Sequence, residues 1–206
     1  AGFLYTTAAP ESRYRSMEGT FAGILDSFRL TGAPAQQAQP GLAYVRWHDP
    51  RENAFSLDVP SQWRVTGGLF RVATVDTRSA VDVVSPDGQI RITLGDPEVP
   101  PFTEPNPMLE MAGFREGGWY SPGYGVRMLV RRYVPGRAFA AEQVRNKLAR
   151  GCSDLVATEA RDRPDVVEAL NTAYARYGQL GVIMRVTAGE IAFTCRSGDQ
   201  PMRGYY

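Results

Sequence analysis

Residues 53–96 read NAFSLDVPSQWRVTGGLFRVATVDTRSAVDVVSPDGQIRITLGD. At the start of this stretch Phe55, Leu57 and Val59 alternate with polar residues, which predicts a strand with one buried side and one solvent-facing side. The buried side has to be covered by another layer, and the helices predicted elsewhere in the chain are the candidates. The sequence therefore predicts an α+β fold, an antiparallel β-sheet with helices packed on its faces.

The remainder of the stretch is predicted to continue the same sheet. The Gly67–Gly68 pair indicates a turn, and Val72–Val75 is then expected to form the second strand. Two further strands are predicted at Ala80–Val84 and Ile90–Leu94. The Asp-Gly pair between them favours a hairpin, because glycine adopts a positive φ without a Cβ clash.

The first 30 residues are predicted to form an arm of one strand and one helix. Residues 3–7 read FLYTT, which is typical of a strand. The helix has an apolar stripe at i, i+3, i+4 and i+7 spacing, predicted to be buried against the sheet. This stripe consists of Phe21, Ile24, Leu25 and Phe28. Residues 31–41 contain no large apolar side chain, which is typical of a linker, so 42–206 form the main α+β body.

Further elements are expected in the second half of the body. Val126–Val134 is predicted to be a strand, and Ala138–Arg150 a helix. Another helix is expected to begin at Asp162–Asp165, where a proline lies near its first turn. Leu180–Thr187 and Glu190–Arg196 flank an Ala-Gly pair and are predicted to form a second hairpin.

The composition argues against several classes of function. The formal net charge is +1, so no general field favours nucleic acid or an anionic membrane. Lys147 is the only lysine among 23 basic residues. Arginine binds carboxylate and phosphate through two parallel hydrogen bonds, but its scatter along the chain favours a bias in composition.

Metal and cofactor chemistry are not predicted. His48 is the only histidine and no Cys-x-x-Cys motif is present, so no zinc or two-histidine metal site is expected. No glycine-rich phosphate loop lies between a strand and a helix, and no cofactor is predicted. No apolar run is long enough to span a bilayer.

Cys152 and Cys195 are the two cysteines of the chain. An even count is compatible with one disulfide or with two buried thiols. Cys152 follows a predicted helix and Cys195 lies in a predicted strand, so packing of the helix on the sheet can bring them together. We predict a disulfide, which in turn indicates an oxidising, extracytoplasmic compartment.

The segment WYSPGYG at residues 119–125 is the candidate binding site. Its aromatic rings could form a stacking platform for a sugar, a peptide or a base. The alternative is a packed turn whose rings cover the edge of a sheet. The candidate binding residues are Trp119, Tyr120, Tyr124 and Arg127.

Acidic residues provide a catalytic alternative. His48 beside Asp49 is compatible with a general base, although the pair is more typical of an exposed strand end followed by a turn. Paired carboxylates could also serve a small hydrolase or a carbohydrate-acting enzyme. The candidates are Asp96, Glu98, Glu104, Glu110 and Glu116. Their spacing among prolines provides no common face, which favours solvated loop charges.

Three segments of the chain resemble the PsbP-like family, which includes a lumenal extrinsic protein of the photosystem oxygen-evolving complex. They are AFSLDVPSQWRV (54–65), SPDG (85–88) and TFAGILDSFRL (20–30). The WYSPGYG loop is also similar to loops of uncharacterised bacterial secreted proteins. The resemblance implies an antiparallel sheet with helices on both sides and a non-enzymatic extracytoplasmic module. No metal-binding or docking residue of the photosystem protein maps onto this chain.

The order of elements departs from that family, because the helix that should close the fold comes first. Residues 203–206 followed by residues 1–7 would read as one natural strand, RGYYAGFLYTT. The chain is therefore expected to be circularly permuted or cut across tandem repeats. We predict that the arm completes a sheet beside the strand ending at Tyr206. It would do so within its own chain or, by exchange, in a second copy. The residues assigned to this assembly are Phe3, Tyr5, Phe21, Ile24, Leu25, Phe28, Tyr205 and Tyr206.

These observations favour a non-catalytic extracytoplasmic module that binds a protein partner or assembles with itself. The single histidine and the lack of a metal cluster in the sequence argue for it. The small hydrolase or carbohydrate-acting enzyme with carboxylate chemistry is the alternative.

Overall fold

The computed structural model describes residues 5–27, 29–30, 43–178 and 185–206. The chain divides into two units, residues 1–133 and residues 134–206. Antiparallel sheets and four α-helices occur in the described ranges, so the predicted α+β class is confirmed. The finer division into an arm, a linker and a body of residues 42–206 stays a prediction.

The first unit contains ten strands and two helices within its described part. In chain order they are β1 (Tyr5–Pro10), α1 (Glu11–Ser27), β2 (Arg29–Leu30), β3 (Tyr44–His48), β4 (Phe55–Pro60), β5 (Arg64–Arg71), β6 (Thr77–Val84), β7 (Arg91–Leu94), β8 (Phe102–Thr103), α2 (Pro107–Met111), β9 (Trp119–Gly123) and β10 (Val126–Val130).

Four strands of this unit form an antiparallel sheet in the order β1-β7-β6-β5. The predicted hairpin is confirmed between β6 and β7, where Val84 pairs with Arg91. At its turn Ser85 Oγ accepts the N–H of Ile90 and donates to the Asp87 carboxylate. Ile90 is fully buried and Gly88 has a positive φ of 71°, as a turn glycine can adopt without strain.

The expectation of one continuous sheet over residues 53–96 is wrong. Strand β4 belongs to a separate three-stranded sheet in the order β2-β4-β3. It pairs with β3 from Tyr44 opposite Pro60 to His48 opposite Ser56. Because neighbours lie on both of its edges and α1 packs on it, Ser56 is buried as well as the alternating apolar residues.

The expected turn and second strand of this stretch are also wrong. Gly67 and Gly68 lie inside β5 with φ of 123° and 135°. A Cβ at Gly67 would overlap the carbonyl oxygen of Ala80, so the two glycines allow a close approach rather than a reversal. The reversal occurs at residues 72–75, where the N–H of Val72 donates to the carbonyl of Asp76 at 2.9 Å.

The predicted helix of the arm is present as α1. Its stripe packs against β4, and Phe21 and Ile24 are buried as predicted. The hydroxyl of Tyr14, another buried residue of α1, lies 3.0 Å from Thr7 Oγ1 on β1. The Leu25 side chain and Phe28 lie outside the described residues.

Strand β1 differs from its predicted bounds, since it runs through Ala8 and Ala9 to Pro10. It pairs with β7 from Tyr5 opposite Leu94 to Ala8 opposite Arg91.

Arg13 at the start of α1 also binds the carboxylate of Asp87 in the β6–β7 turn. The pKa of this carboxyl falls to about 2, chiefly because Ser85 and then Arg13 donate hydrogen bonds to it. Phe3 lies outside the described residues.

The second unit contains three strands and two α-helices within its described part. They are α3 (Gly136–Lys147), followed by a 3₁₀ turn at Leu148–Arg150, then β11 (Ser153–Asp162), α4 (Pro164–Gly178), β12 (Gly189–Ser197) and β13 (Gln200–Tyr205). The three strands form an antiparallel sheet in the order β11-β12-β13, and α3 packs on β12.

The predicted hairpin between Leu180–Thr187 and Glu190–Arg196 is wrong. Residues 180–184 lie outside the described residues, and Arg185–Ala188 are not in a strand. Strand β12 instead pairs with β11 and β13. Strand β11 was not predicted, because almost all of its ten residues are exposed and the sequence has no apolar alternation.

A buried carboxylate organises the start of β12. Glu190 is buried and binds Arg161 of β11 at 2.7 Å and Arg163 at 2.5 Å. Arg163 also binds Asp165 in the first turn of α4, and this hydrogen bond lowers the pKa of Asp165 to about 2. The same cluster therefore joins a helix start to two strands.

The predicted disulfide joins Cys152 and Cys195, whose Cα atoms lie 5.6 Å apart. It connects the residue after the 3₁₀ turn to the buried part of β12. No described helix is long and apolar enough to cross a membrane.

Reduction of the disulfide is expected to destabilise the second unit. The bridge closes a loop between positions 43 residues apart, for which the chain-entropy model gives about 4 kcal/mol. We expect the midpoint of denaturant unfolding to fall when a reductant is added. The double variant Cys152→Ala and Cys195→Ala is the control, because a reductant should not shift its midpoint. Two free thiols in the mass of the unreduced protein would contradict the assignment.

The substitution Ile24→Ala is expected to lower the free energy of unfolding by about 2 to 5 kcal/mol, because a fully buried side chain leaves a cavity. Glu18→Ala, at an exposed position of the same helix, is the matched control and should change it by less than about 0.5 kcal/mol. Chemical unfolding of both variants measures the difference. Equal midpoints would mean that α1 contributes no packing to the first unit.

The buried carboxylate of Asp49 provides a third prediction. It is 2 % exposed and accepts the N–H groups of Arg51 (3.1 Å), Glu52 (3.2 Å), Ala54 (3.2 Å) and Leu69 (3.1 Å). Asp49→Ala leaves these donors without their acceptor and should cost about 1 to 3 kcal/mol or more. Glu104→Gln, which changes an exposed carboxyl, is the control.

Acid titration tests the same interaction. Burial raises the pKa of Asp49, but the four N–H donors outweigh burial and hold that pKa below its ordinary value. Since the folded-state pKa is the lower one, the stabilisation is present above the unfolded-state pKa and is lost as the pH falls through the folded-state pKa. The stability of wild type should fall more steeply in acid than that of Asp49→Asn. Parallel curves would contradict this.

Candidate functional site

The candidate site lies on the third sheet of the first unit, in which β10 has β8 on one edge and β9 on the other. Strand β8 runs parallel to β10 and β9 runs antiparallel to it. Leu129 pairs with Trp119 on one side and with Phe102 on the other. Paired residues of adjacent strands point to the same side of a sheet, so these three side chains form one row.

Two arginines cover the ends of this row. The Arg127 guanidinium carbon lies 4.8 Å from the centre of the Trp119 ring, and that of Arg131 lies 5.4 Å from the centre of the Phe102 ring. Arg127 lies two residues before Leu129 in β10, and Arg131 lies two residues after it, directly beyond the end of the strand. The two ring contacts place both guanidinium groups on the side of Leu129. We call this surface the Arg-aromatic face; its residues are Phe102, Trp119, Arg127, Leu129 and Arg131.

The face is open to solvent although its members are large and partly apolar. Trp119 is 47 % exposed and Phe102 is 37 % exposed, while Leu129 between them is half-buried. Two strand spacings separate the aromatic residues, a distance of roughly 10 Å. The row is thus wide enough for a partner side chain to rest on Leu129 between the two rings.

The electrostatics of the face are set by cation–π contacts. An aromatic ring attracts a guanidinium through its electron-rich face, and this contact leaves the N–H donors of the arginine available. Within the described ranges Arg127 forms its ring contact and no ion pair. The arrangement can therefore bind an apolar side chain and an anionic group next to one another.

The central strand of the face is held on both edges. The N–H of Leu129 donates to the carbonyl of Pro101 at 3.0 Å, and that of Arg131 donates to Thr103 at 2.8 Å. On the other edge the N–H of Val130 donates to Gly118 at 2.9 Å. These bonds fix the backbone beneath the exposed side chains.

A buried ion pair holds the segment before β8 in position. Arg78 of β6 donates to the carbonyls of Pro97 and Val99 at 2.6 and 3.0 Å. Its guanidinium is oriented by the carboxylate of Asp76, and both side chains are largely buried. Charge-assisted hydrogen bonds of this kind are stronger than neutral ones. Strand β6 therefore holds in place the segment that leads into β8 and Phe102.

The structure brings together only part of the predicted aromatic platform. Trp119 and Arg127 lie on the Arg-aromatic face. Tyr120 points to the opposite side of β9, where its ring meets the edge of Phe114 at 5.2 Å between centroids. Tyr124 lies in the β9–β10 turn with a positive φ of 54° and is 79 % exposed.

Sequence reasoning missed three residues of the face, Phe102, Leu129 and Arg131. Phe102 lies in the proline-rich segment after Asp96, for which no strand was predicted. The alternation of Arg127, Leu129 and Arg131, within the predicted strand Val126–Val134, was a usable signal for a shared side. The predicted strand Val126–Val134 is shorter than expected and ends at Val130.

The His48–Asp49 pair does not form a dyad. The Asp49 carboxylate accepts the four backbone N–H groups described above. His48 Nδ1 instead lies 3.2 Å from Asn53 Oδ1 on an exposed strand end. The pair therefore has the structural role of a strand end followed by an aspartate-stabilised turn.

Two carboxylates of the catalytic alternative, Asp96 and Glu116, have local partners. Asp96 accepts the N–H of Glu98 at 2.9 Å, and Glu116 binds Arg132 at 3.1 Å. Among the described residues no group of three or more His, Cys, Asp or Glu side chains could hold a metal ion.

Comparison with protein-family models, with curated proteins and with solved structures found no match for this chain.

Proposed function

We propose that the chain is a non-catalytic extracytoplasmic module that binds a protein partner through the Arg-aromatic face. The observation that carries this proposal is the pair of arginines stacked on exposed aromatic rings of paired strands. Tryptophan and arginine are enriched among the side chains that contribute most to protein–protein binding energy. A row of such side chains on one side of a sheet suits a partner surface or an extended chain.

The shape of the site favours a macromolecular partner over a small substrate. The face is one side of three adjacent strands, and Leu129 at its centre lies level with the two rings across neighbouring strands. Small-molecule sites are usually concave and enclose most of their ligand. An exposed apolar row flanked by charge is instead typical of a surface for protein contact.

The extracytoplasmic location rests on the disulfide between Cys152 and Cys195. Structural disulfides persist in oxidising compartments and are rare in the cytosol of most cells. The PsbP-like resemblance agrees with this location and with a role without catalysis.

Self-assembly by exchange of residues 1–30 is a second mode of the same proposal. In the structure β1 and α1 complete the unit of their own chain, and the same contacts could be formed with a second copy. Leu30 pairs with Phe55 and Tyr44 with Pro60, at opposite ends and edges of β4. They are separated by roughly 20 Å.

The length of the connection favours the self-closed form. Thirteen residues separate Leu30 from Tyr44, and a fully extended chain of that length reaches roughly 40 Å. A connection of sufficient length keeps the arm at a high effective concentration near its own unit. Exchange between copies, and pairing of the arm with the strand that ends at Tyr206, stay predictions.

Photo-crosslinking tests the proposed binding surface. The protein is expressed in its native cells with a photoreactive phenylalanine analogue in place of Leu129. On irradiation this variant should crosslink to a discrete protein partner. Trp119→Ala should abolish the crosslink, because it removes one end of the row and the support for Arg127. The unfolding midpoint of this variant should stay close to that of wild type, since Trp119 is half-exposed.

The same analogue at position 156 is the matched control, because Val156 is exposed on β11 of the second unit. It should not capture the same partner. Identical products from both positions, or a product at position 129 that survives Trp119→Ala, would contradict binding through the Arg-aromatic face.

A further inference from the structure

We infer that the Arg-aromatic face selects a partner segment that carries a carboxylate next to an apolar side chain, with the carboxylate bound by Arg127. This inference rests on the proposed function and specifies the chemistry of the partner. Arg127 has a ring contact but no ion pair among the described residues, and the apolar row of Leu129 and Phe102 lies beside it.

Arg127 is positioned for an anion that the described part of the chain does not supply. Its guanidinium lies over the Trp119 ring at 4.8 Å, and no described carboxylate forms an ion pair with it. Three other arginines of the unit are ion-paired: Arg46 binds Asp58, Arg71 binds Glu52 and Arg78 binds Asp76. The guanidinium of Arg127 differs from these three in using a ring contact alone, as that of Arg51 does on Phe70.

The ring contact prepares the guanidinium for binding. Stacking restricts the long side chain, so less conformational entropy is lost when a ligand arrives. The donors of a guanidinium lie in its plane and match the two oxygens of a carboxylate through parallel hydrogen bonds. An acidic side chain that approaches along the sheet can therefore bind Arg127 while the ring stays covered.

The apolar row determines what must accompany the carboxylate. Leu129 lies two residues from Arg127 on the same side of β10, with Phe102 beyond it on β8. In an extended segment, alternate residues share one side. A segment with an acidic residue two positions from an aromatic or aliphatic one would place the carboxylate on Arg127 and the apolar side chain on the row.

A carboxylate fits this site better than a phosphate dianion. One guanidinium fork supplies the two parallel donors that a carboxylate uses. Phosphorylated segments carry a charge of about −1.5 to −2 and three acceptor oxygens, and they are usually bound by clusters of arginines. The charge of the face near Arg127 therefore complements an acidic protein segment.

Synthetic peptides test this inference on the full chain. The probe is acetyl-Ser-Phe-Ser-Glu-Ser-Phe-Ser-amide, in which the Phe and Glu side chains share one side when the peptide is extended. The matched control peptide has Gln in place of Glu. Titration is followed by the NMR signals of the Trp119 indole N–H and the Arg127 Nε–H. We expect the Glu peptide to shift both signals and to bind about tenfold more tightly than the Gln peptide.

A conservative variant distinguishes the contribution of the two parallel guanidinium donors from that of the positive charge. Arg127→Lys keeps a positive charge but loses the planar pair of donors, so most of the preference for Glu over Gln should disappear. Arg115→Lys, at an exposed position outside the face, is the control and should preserve the preference. Unfolding midpoints of both variants check that the fold is intact. The preference should also weaken in high salt.

The outcomes distinguish the inference from the proposed function. Equal affinity for the Glu and Gln peptides, with the Trp119 signal shifted by both, overturns the carboxylate assignment but leaves the face as a binding surface. Absence of any shift at Trp119 or Arg127 overturns the inference, while the crosslinking at position 129 still decides the proposed function. Tighter binding of a phosphoserine peptide than of the Glu peptide would reassign the site to phosphorylated partners.

Discussion

The carboxylate of Asp49 is the interaction on which the first unit depends. It accepts three N–H groups from the turn between β3 and β4 and a fourth from Leu69 in β5. The first three determine the shape of the turn, and the fourth ties one sheet to another. A buried charge is tolerated here because hydrogen bonds replace its lost solvation.

Gly68, the residue next to Leu69, shows how closely β5 packs against the Asp49 carboxylate. A Cβ at Gly68 would overlap the Asp49 carboxylate, so only glycine allows β5 to approach it. The positive φ of Gly68 is a second reason, since residues with a Cβ rarely adopt it. A turn, a strand and a sheet-to-sheet contact thus share one constraint, and β5 can then pair with β6 along its length.

The Arg-aromatic face is connected to the contact between Asp49 and β5 through the neighbouring strand β6. Arg78 of β6, oriented by Asp76, binds the carbonyls of the segment that leads into β8. Strand β8 then places Phe102 beside Leu129, and β9 places Trp119 on the other side. The exposed side chains that we propose for binding are therefore mounted on backbone hydrogen bonds and a buried ion pair. Rigid support of this kind reduces the entropy lost when a partner is bound.

Short-range patterns in the sequence were sufficient for the elements whose neighbours are local. The alternation at Phe55, Leu57 and Val59, the Asp-Gly turn and the stripe containing Phe21 and Ile24 were each recognised, because the spacing of buried residues follows directly from the geometry of a strand or a helix. The pairing of Cys152 with Cys195 was also predicted, since the chain has no other cysteine.

Tertiary structure alone decided which strands share a sheet and which side chains share a face. Nothing in the sequence at Gly67 and Gly68 distinguishes a turn from a strand that passes close to a carboxylate, because both use a positive φ. Strand β11 has no apolar alternation and is held as a strand by pairing with β12. Likewise, Phe102 and Trp119 meet across Leu129 through the register of three strands. That register depends on hydrogen bonds between distant segments, which local spacing does not encode.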